Sequence, residues 1–274
     1  MGMDLILICF AALACLSSGL FFSASFLQLK GRTETIGALQ FGGALLLITA
    51  AGAMGLVSLG RPEMFLGALA HPGTGIFFEL IGTLLLCFGA VCWLIAFWRD
   101  SSETILKFFA VFAAAGAVCL LFGVGRSFVM PWRETLNSWL VVPLFFIFAL
   151  EAAAFAYAAA ERAIDKEFQL GNPALIFSLV GALCLGGYLM QIMYSSSNDG
   201  KEAALSVLTG EPAVVFWCGV VVIGLMVPAV LACRKLGKIP FRNAAGLLAA
   251  VIGSASFQTI LLVIGTASWQ FFKR

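Results

Sequence analysis

Apolar runs of about 20 residues, repeated along the chain and separated by short charged clusters, constrain this sequence more than any other feature. A helix of about 20 apolar residues crosses the hydrocarbon core of a bilayer. Segmenting on that length gives eight spans, at roughly 4–28, 36–58, 75–98, 104–125, 137–160, 173–195, 212–233 and 243–271. Helix is the element these runs require, because strands of a membrane barrel alternate apolar and polar residues and these do not. The composition agrees: 62% of the 274 residues are hydrophobic and 11% are charged, whereas a water-facing domain is about one quarter charged. The expected fold is all-α, a single domain over residues 1–274 built as an integral membrane bundle of eight transmembrane helices.

Prolines mark most of the breaks. Pro62 and Pro72 flank the loop between spans two and three, and Pro131 follows span four. Pro173 and Pro212 open spans six and seven, where a missing N–H costs no helical hydrogen bond. Pro143 and Pro228 fall inside spans and are expected to kink them. At the N-terminus, Asp4 is the only charge before Lys30, and the apolar run to Leu29 exceeds a signal h-region. It reads as a retained first span.

Orientation follows from the basic residues. Loops 1–2, 3–4, 5–6 and 7–8 carry ten Lys and Arg, against six on the other side. The positive-inside rule places the first set in the cytoplasm and both termini on the outer, periplasmic side. Outer loops 2–3, 4–5 and 6–7 are the longer ones, about 11–16 residues, and long loops on one face suit a docked partner. A net charge of +2 gives no sign of nucleic-acid binding.

The eight cysteines all fall in apolar runs and none forms a C-x-x-C pair. They read as small buried hydrophobes rather than metal ligands. His71 is the only histidine, so the two axial ligands of a bis-histidine haem are not available. No metal and no haem are expected in this chain. Electron handling would then require a diffusible organic carrier.

The polar residues concentrate in "SLGRPEMFLGALAHPGTGIFFELIG", Ser58–Gly82. Glu79 lies about five residues into span three, on the order of 7 Å below the boundary at 1.5 Å per residue. Burying an acid there costs a few kcal/mol unless it is paired, protonated or wetted. Either it is a proton acceptor at a ligand pocket, or it reaches back to the headgroups or a nearby arginine. Arg61 and Arg126 each follow a glycine at an outer helix end. They either snorkel or bring two guanidinium groups beside Glu79 and His71, to orient a headgroup with two oxygens. Glu151, flanked by alanines in span five, reads as a helix-packing residue. Trp132, Trp139 and Tyr194 fit an aromatic belt.

Two stretches resemble a known family. "LGRPEMFLGALAHPGTGIFFELIG" is similar to the LG-x-P loop and following third-span glutamate of the DmsC family, the membrane anchor subunit of anaerobic dimethyl sulfoxide reductase-type molybdoenzymes. "GRSFVMPWRETLNSWLVVP" resembles the family's arginine after span four, followed by Pro, Trp and a Ser-x-Trp-x-x-Pro ending. The resemblance implies an inner-membrane anchor in anaerobic respiratory electron transport. Such an anchor oxidises menaquinol to menaquinone near the outer face, in a pocket between spans two, three and four. Electrons pass to a four-cluster iron–sulfur subunit and on to a molybdopterin catalytic subunit, and the anchor does no chemistry on the terminal substrate. Carried over, Glu79 and His71 are catalytic, and Ser58, Arg61, Glu79, Arg126 and Trp132 bind quinol. Ser58 stands directly before LG, where the family often has histidine; either His71 takes that role or Glu79 acts without a histidine. Alternatives are an NrfD-type anchor of a related reductase, a scaffold without quinone, and a small-solute or ion transporter. A transporter predicts inverted repeats with broken midplane helices.

The eight-span topology predicts that reporter fusions at Gly200 and Gly237 score on opposite sides of the membrane. Signals from the same side would remove it.

Overall fold

A computed structural model describes residues 2–31, 35–58, 67–164, 173–195, 198–233 and 241–267. The helices are α1 Gly2–Leu29, α2 Thr35–Ser58, α3 Gly75–Trp98, α4 Glu103–Ser127, α5 Val141–Ile164, α6 Pro173–Met193 and α7 Asn198–Thr209, followed by α8 Val215–Ala232 and α9 Arg242–Ala267. No strand occurs among the described residues. Eight of these helices, all but α7, are long and apolar enough to cross a membrane. An even number of crossings puts the start of α1 and the end of α9 at one end of the bundle.

The middle of the bundle is α5, packed by α1, α4, α6 and α9. Its sequence is apolar all round, which is the pattern of a helix surrounded by protein or lipid. Here it is protein: most of α5 is buried, and Phe145, Phe148 and Phe155 are the large side chains it contributes to the interior. α1 is the second central element, touching α2, α4, α5 and α9. A Cβ at Gly19 of α1 would sit 2.6 Å from the carbonyl oxygen of Ala149, so glycine there lets α1 and α5 meet backbone to backbone.

The closest pair is α3 and α4. A four-residue turn, Arg99–Ser102, joins them, and Asp100 takes its left-handed conformation at φ 49°, which a short polar side chain tolerates. Along the antiparallel seam, Gly75 faces Ser127, Gly123 faces Glu79, Gly82 faces Leu120, Gly116 faces Leu86 and Gly89 faces Ala113. A Cβ at Gly116 would stand 2.6 Å from the Leu86 nitrogen, and one at Gly89 would stand 2.9 Å from the Ala113 nitrogen. The glycines recur every seven residues on both helices. That period holds one face of each helix toward the other, and the missing side chains let the backbones close. α2 is held to α3 by a stack of Phe41 on Trp93, with centroids 4.1 Å apart at 18°.

Several boundaries differ from the expectation. The helix of the fifth span runs from Val141 to Ile164, four residues later than expected at each end, while the membrane-spanning segment it belongs to starts at Glu134. Pro143 therefore lies in its first turn and kinks nothing. The final span is described from Arg242 to Ala267, and the expected continuation to 271 lies outside the described residues. The loop after α6 is not irregular: it holds α7, which buries Ala203, Ala204 and Val207 and exposes Lys201 and Glu202. Trp217 Nε1 donates to the Leu208 carbonyl at 3.0 Å and ties α7 to α8. α8 is π-helical over Val215–Met226 and α-helical from Val227. Pro228 falls just after the change. Its missing N–H interrupts the ladder there, and a widened helix is one way a chain absorbs such an interruption.

Gly82→Leu should push α3 from α4 and destabilise the protein by about 1–3 kcal/mol or more, as overpacking does. Gly43→Leu is the control, since a Cβ at Gly43 meets nothing within 4 Å. Thermal unfolding of the two purified variants in one detergent checks this, and equal melting temperatures would contradict it.

Candidate functional site

Glu79 sits on the second turn of α3, and the start of that helix is fixed locally. Thr74 is the N-cap, in extended conformation, and its hydroxyl accepts from the Phe77 N–H at 3.3 Å. The same hydroxyl donates to the His71 carbonyl at 2.9 Å, which folds the preceding turn onto the helix start. Satisfying an orphan N–H in this way is worth about 1 kcal/mol to a helix. The α3–α4 seam then sets the neighbour: with Gly123 against the backbone of Glu79, Ser127 lies one turn further along α4. Ser127 Oγ donates to Glu79 Oε1 at 2.6 Å.

Glu79 and Ser127 line a cavity of about 170 Å³. Its other walls come from α1 (Leu7, Phe10, Ala11), from the end of α4 and the loop after it (Val124, Phe128, Met130, Arg133, Leu136), and from the end of α9 (Gln258, Leu261, Leu262, Gly265). It lies at the end of the bundle where α1 and α3 start and α4 and α9 finish. Most of the wall is aliphatic or aromatic, with a few convergent polar groups, which is the usual make-up of a small-molecule site. A well-studied apolar cavity of roughly 150 Å³ takes benzene, so the space suits a small aromatic head.

Four polar residues, Glu79, Ser127, Arg133 and Gln258, are among those around this space. Glu79 offers one oxygen beyond the one that Ser127 holds. Arg133, from the loop after α4, donates through Nη1 to the carbonyl of Gly265 and so clamps that loop to the end of α9. Gln258 is fully buried, and its Nε2 donates to the Leu7 carbonyl at 3.0 Å, joining α9 to α1. Its Oε1 has no hydrogen-bond partner.

The other residues expected from the sequence are placed elsewhere. His71 is exposed on the loop before α3 and does not line the cavity. Arg126 turns away from it: Nη1 donates to the Val129 carbonyl at 2.8 Å, and the guanidinium lies 5.3 Å from the centre of the Trp139 ring. Arg126 thus closes the turn after α4 rather than joining Glu79. Trp132 is 78% exposed, which fits a residue resting in the interface region rather than one facing a ligand. Arg61 lies outside the described residues, as does the side chain of Ser58. None of the described residues of α2 lines the cavity, which lies between α1, α3, α4 and α9 rather than between the second, third and fourth spans. Among the described residues, no group of three or more His, Cys, Asp and Glu could hold a metal ion.

Ser127, Arg133 and Gln258 were not singled out by the sequence reading. Gln258 carried a signal: it is a lone amide deep in the last apolar run. Ser127 follows Arg126 directly, and only the helix–helix register shows that the serine, not the arginine, meets Glu79. The sequence matches no family model and no curated protein.

Arg126→Gln should lower thermal stability by about 1 kcal/mol through loss of the bond to Val129, and leave the Glu79 carboxyl infrared band in place. Ser127→Ala should shift that band, identified by its loss in Glu79→Gln. A band shift in Arg126→Gln of the size seen for Ser127→Ala would contradict the geometry.

Proposed function

We propose that this chain is the quinol-oxidising membrane anchor of a respiratory molybdoenzyme complex of the DmsC type. The observation that carries the reading is a carboxylate held by one hydroxyl donor on the wall of a mainly apolar cavity of about 170 Å³ near one end of a transmembrane bundle. Intramembrane acids are costly and are functional by default. The DmsC-like stretches add to this: the third-span glutamate of the resemblance is the residue on the cavity wall, and the stretch after span four supplies Ser127, Phe128, Met130 and Arg133 to the same space.

The chemistry follows from those groups. Oxidation of a hydroquinone to a quinone releases two electrons and two protons. The oxygen of Glu79 that Ser127 leaves open accepts a proton from one hydroxyl, and the carboxyl sheds it toward the nearby end of the bundle. The second proton follows the same way. Ser127 holds the carboxylate in one orientation, so that little rearrangement is needed when the proton arrives. Menaquinol is the carrier implied by the resemblance. Electrons leave to an iron–sulfur subunit docked on the loops at this end, the outer face by the distribution of basic residues, and continue to a molybdopterin subunit. The membrane is then the cytoplasmic membrane, with the partners outside. Arg126 supports the reading indirectly, by fixing the turn that presents Ser127 and Arg133 to the cavity.

Glu79→Gln keeps the shape and accepts the Ser127 hydrogen bond, but cannot take a proton. In membranes containing the partner subunits it should slow quinol-dependent electron transfer by about 10²-fold, the usual scale for losing a general base. His71→Ala should change the rate by less than about threefold, because His71 is exposed and away from the cavity. Association with the iron–sulfur subunit, measured by co-purification, should survive both changes. Full activity in Glu79→Gln would reject the proton role.

A further inference from the structure

We infer that Arg133 is a ligand-binding residue whose guanidinium makes this cavity favour an anionic headgroup, the form a hydroquinone takes once it has given up one proton. The inference rests on the reading of the cavity as a quinol site and goes beyond it: that reading gives the proton chemistry to Glu79 and Ser127, and the resemblance carries over Arg61 and Arg126 but not Arg133.

The argument starts from the loop after α4, which fixes where Arg133 stands. The Met130 N–H donates to the Leu136 carbonyl, the Arg133 N–H to the Met130 carbonyl and the Leu136 N–H to the Arg133 carbonyl, at 3.1, 3.0 and 3.0 Å. Arg133 is thus part of a closed turn, and its side chain reaches the end of α9, where Nη1 donates to the Gly265 carbonyl. Met130, Arg133, Leu136 and Gly265 all line the cavity, so this bond belongs to its wall. A cation beside the last carbonyls of a helix is favourable in itself. Two further observations give this one a ligand to hold. First, a carbonyl accepts a hydrogen bond from a guanidinium without cancelling its charge, and a charge on an apolar wall acts across several ångströms with little screening. Second, the acid of the cavity is held by Ser127, not by this cation. Glu79 stands on α3, which packs against α4 and α2, whereas Arg133 is tethered to α9, which packs against α5, α8 and α1. The two groups reach the space from different sides. Both are partly exposed, while Gln258 is fully buried and out of a ligand's reach. Glu134, next in the chain, is exposed and does not line the cavity. When Glu79 accepts a proton from a hydroxyl of the ligand, the O–H bond breaks and its electron pair stays on the ligand, which then carries one negative charge inside the cavity. The guanidinium lowers the cost of that charge, as fixed charges in a water-poor site do for a developing anion. Glu79 takes the proton, and Arg133 holds the anion that remains.

The test uses the purified full chain in lipid nanodiscs near neutral pH, with two probes of nearly the same shape. One is a decyl-substituted 2-hydroxy-1,4-naphthoquinone, which is ionised there and mimics the ligand after its proton has passed to Glu79. The other is its neutral 2-methoxy ether. Affinities are measured by calorimetry, with binding to empty nanodiscs subtracted. The wild type should bind the anion about tenfold or more tightly than the ether, the scale of one hydrogen bond to a charged group. Arg133→Gln removes the charge. It should weaken binding of the anion about tenfold and leave that of the ether within about twofold. Arg133→Lys keeps the charge and should retain most of the preference. If Arg133→Gln does not fold, the wild type and Arg133→Lys carry the test, since both must prefer the anion. Loss of the Gly265 clamp alone would weaken both probes alike. Equal wild-type affinity for the two probes, equal weakening of both by Arg133→Gln, or a preference lost in Arg133→Lys would overturn the charge role while leaving a quinol site standing. Failure of the wild type to bind either probe would overturn both readings.

Discussion

The close approach of α3 and α4 is the constraint on which the site depends. Nothing in a bilayer drives two apolar helices together as water would, since lipid tails are as apolar as leucine; packing has to do it. Here the packing is backbone against backbone, through glycines at 75, 82 and 89 on one helix and at 116 and 123 on the other. Each step forward along α3 is matched by an equal step back along α4, so a single short turn fixes the whole register. That register, and not any polar attraction, brings Ser127 to Glu79. A side chain at 123 would meet the Glu79 backbone itself, lifting the carboxylate from its donor and opening the cavity wall. The small residues and the acid are therefore one device: the seam sets the geometry and the acid uses it.

The fold was legible in the sequence because the bilayer is a stringent ruler. A hydrocarbon core of nearly constant thickness demands runs of nearly constant length, and the prolines at 72 and 173 mark where the third and sixth spans open. The fifth helix starts four residues later than expected because an apolar run says where a helix fits, not where its first turn begins, and Pro143 belongs to that first turn rather than to the helix interior. The site was legible only in part. Glu79 stood out because an acid in an apolar run is rare. Its partners did not, because nearness in sequence is a poor guide across helices. Arg126 and Ser127 are consecutive, and they point to different places: one to Val129 and Trp139, the other to Glu79. The seven-residue spacing of glycines was the available clue, since it predicts which faces of α3 and α4 meet.

The buried polar side chains mostly tie helices to one another. Ser23 donates to Gln40, which in turn donates to the Ala156 carbonyl, joining α1, α2 and α5. Ser178 donates to Glu151 at 2.6 Å, tying α6 to α5. At the far end, Lys30 donates to the Tyr157 hydroxyl, and Tyr157 to Glu161. These contacts cross between helices or brace a helix end, as polar groups in membrane bundles commonly do. Glu151 keeps one oxygen without a partner, as does the amide of Gln28, but neither residue lines the cavity. Gln258 joins α9 to α1 in the same way, through the Leu7 carbonyl.

Beneath the cavity the bundle is filled. Phe128, on the cavity wall, stacks on Phe145 with centroids 5.7 Å apart, and Phe145 meets Phe257 edge-on at the same separation. Phe257 also packs against Phe148 and Tyr188. These five rings come from α5, α6, α9 and the end of α4, and each is 7% exposed or less. They form an aromatic floor one residue from Gln258, at the centre of the molecule. A substrate path across the membrane would have to part that floor, and α5, the most enclosed of the helices, would have to move with it. A ligand that docks from one end, gives up electrons and protons there, and leaves the way it came asks for no such motion. Among the described residues, these rings close the bundle beneath the cavity.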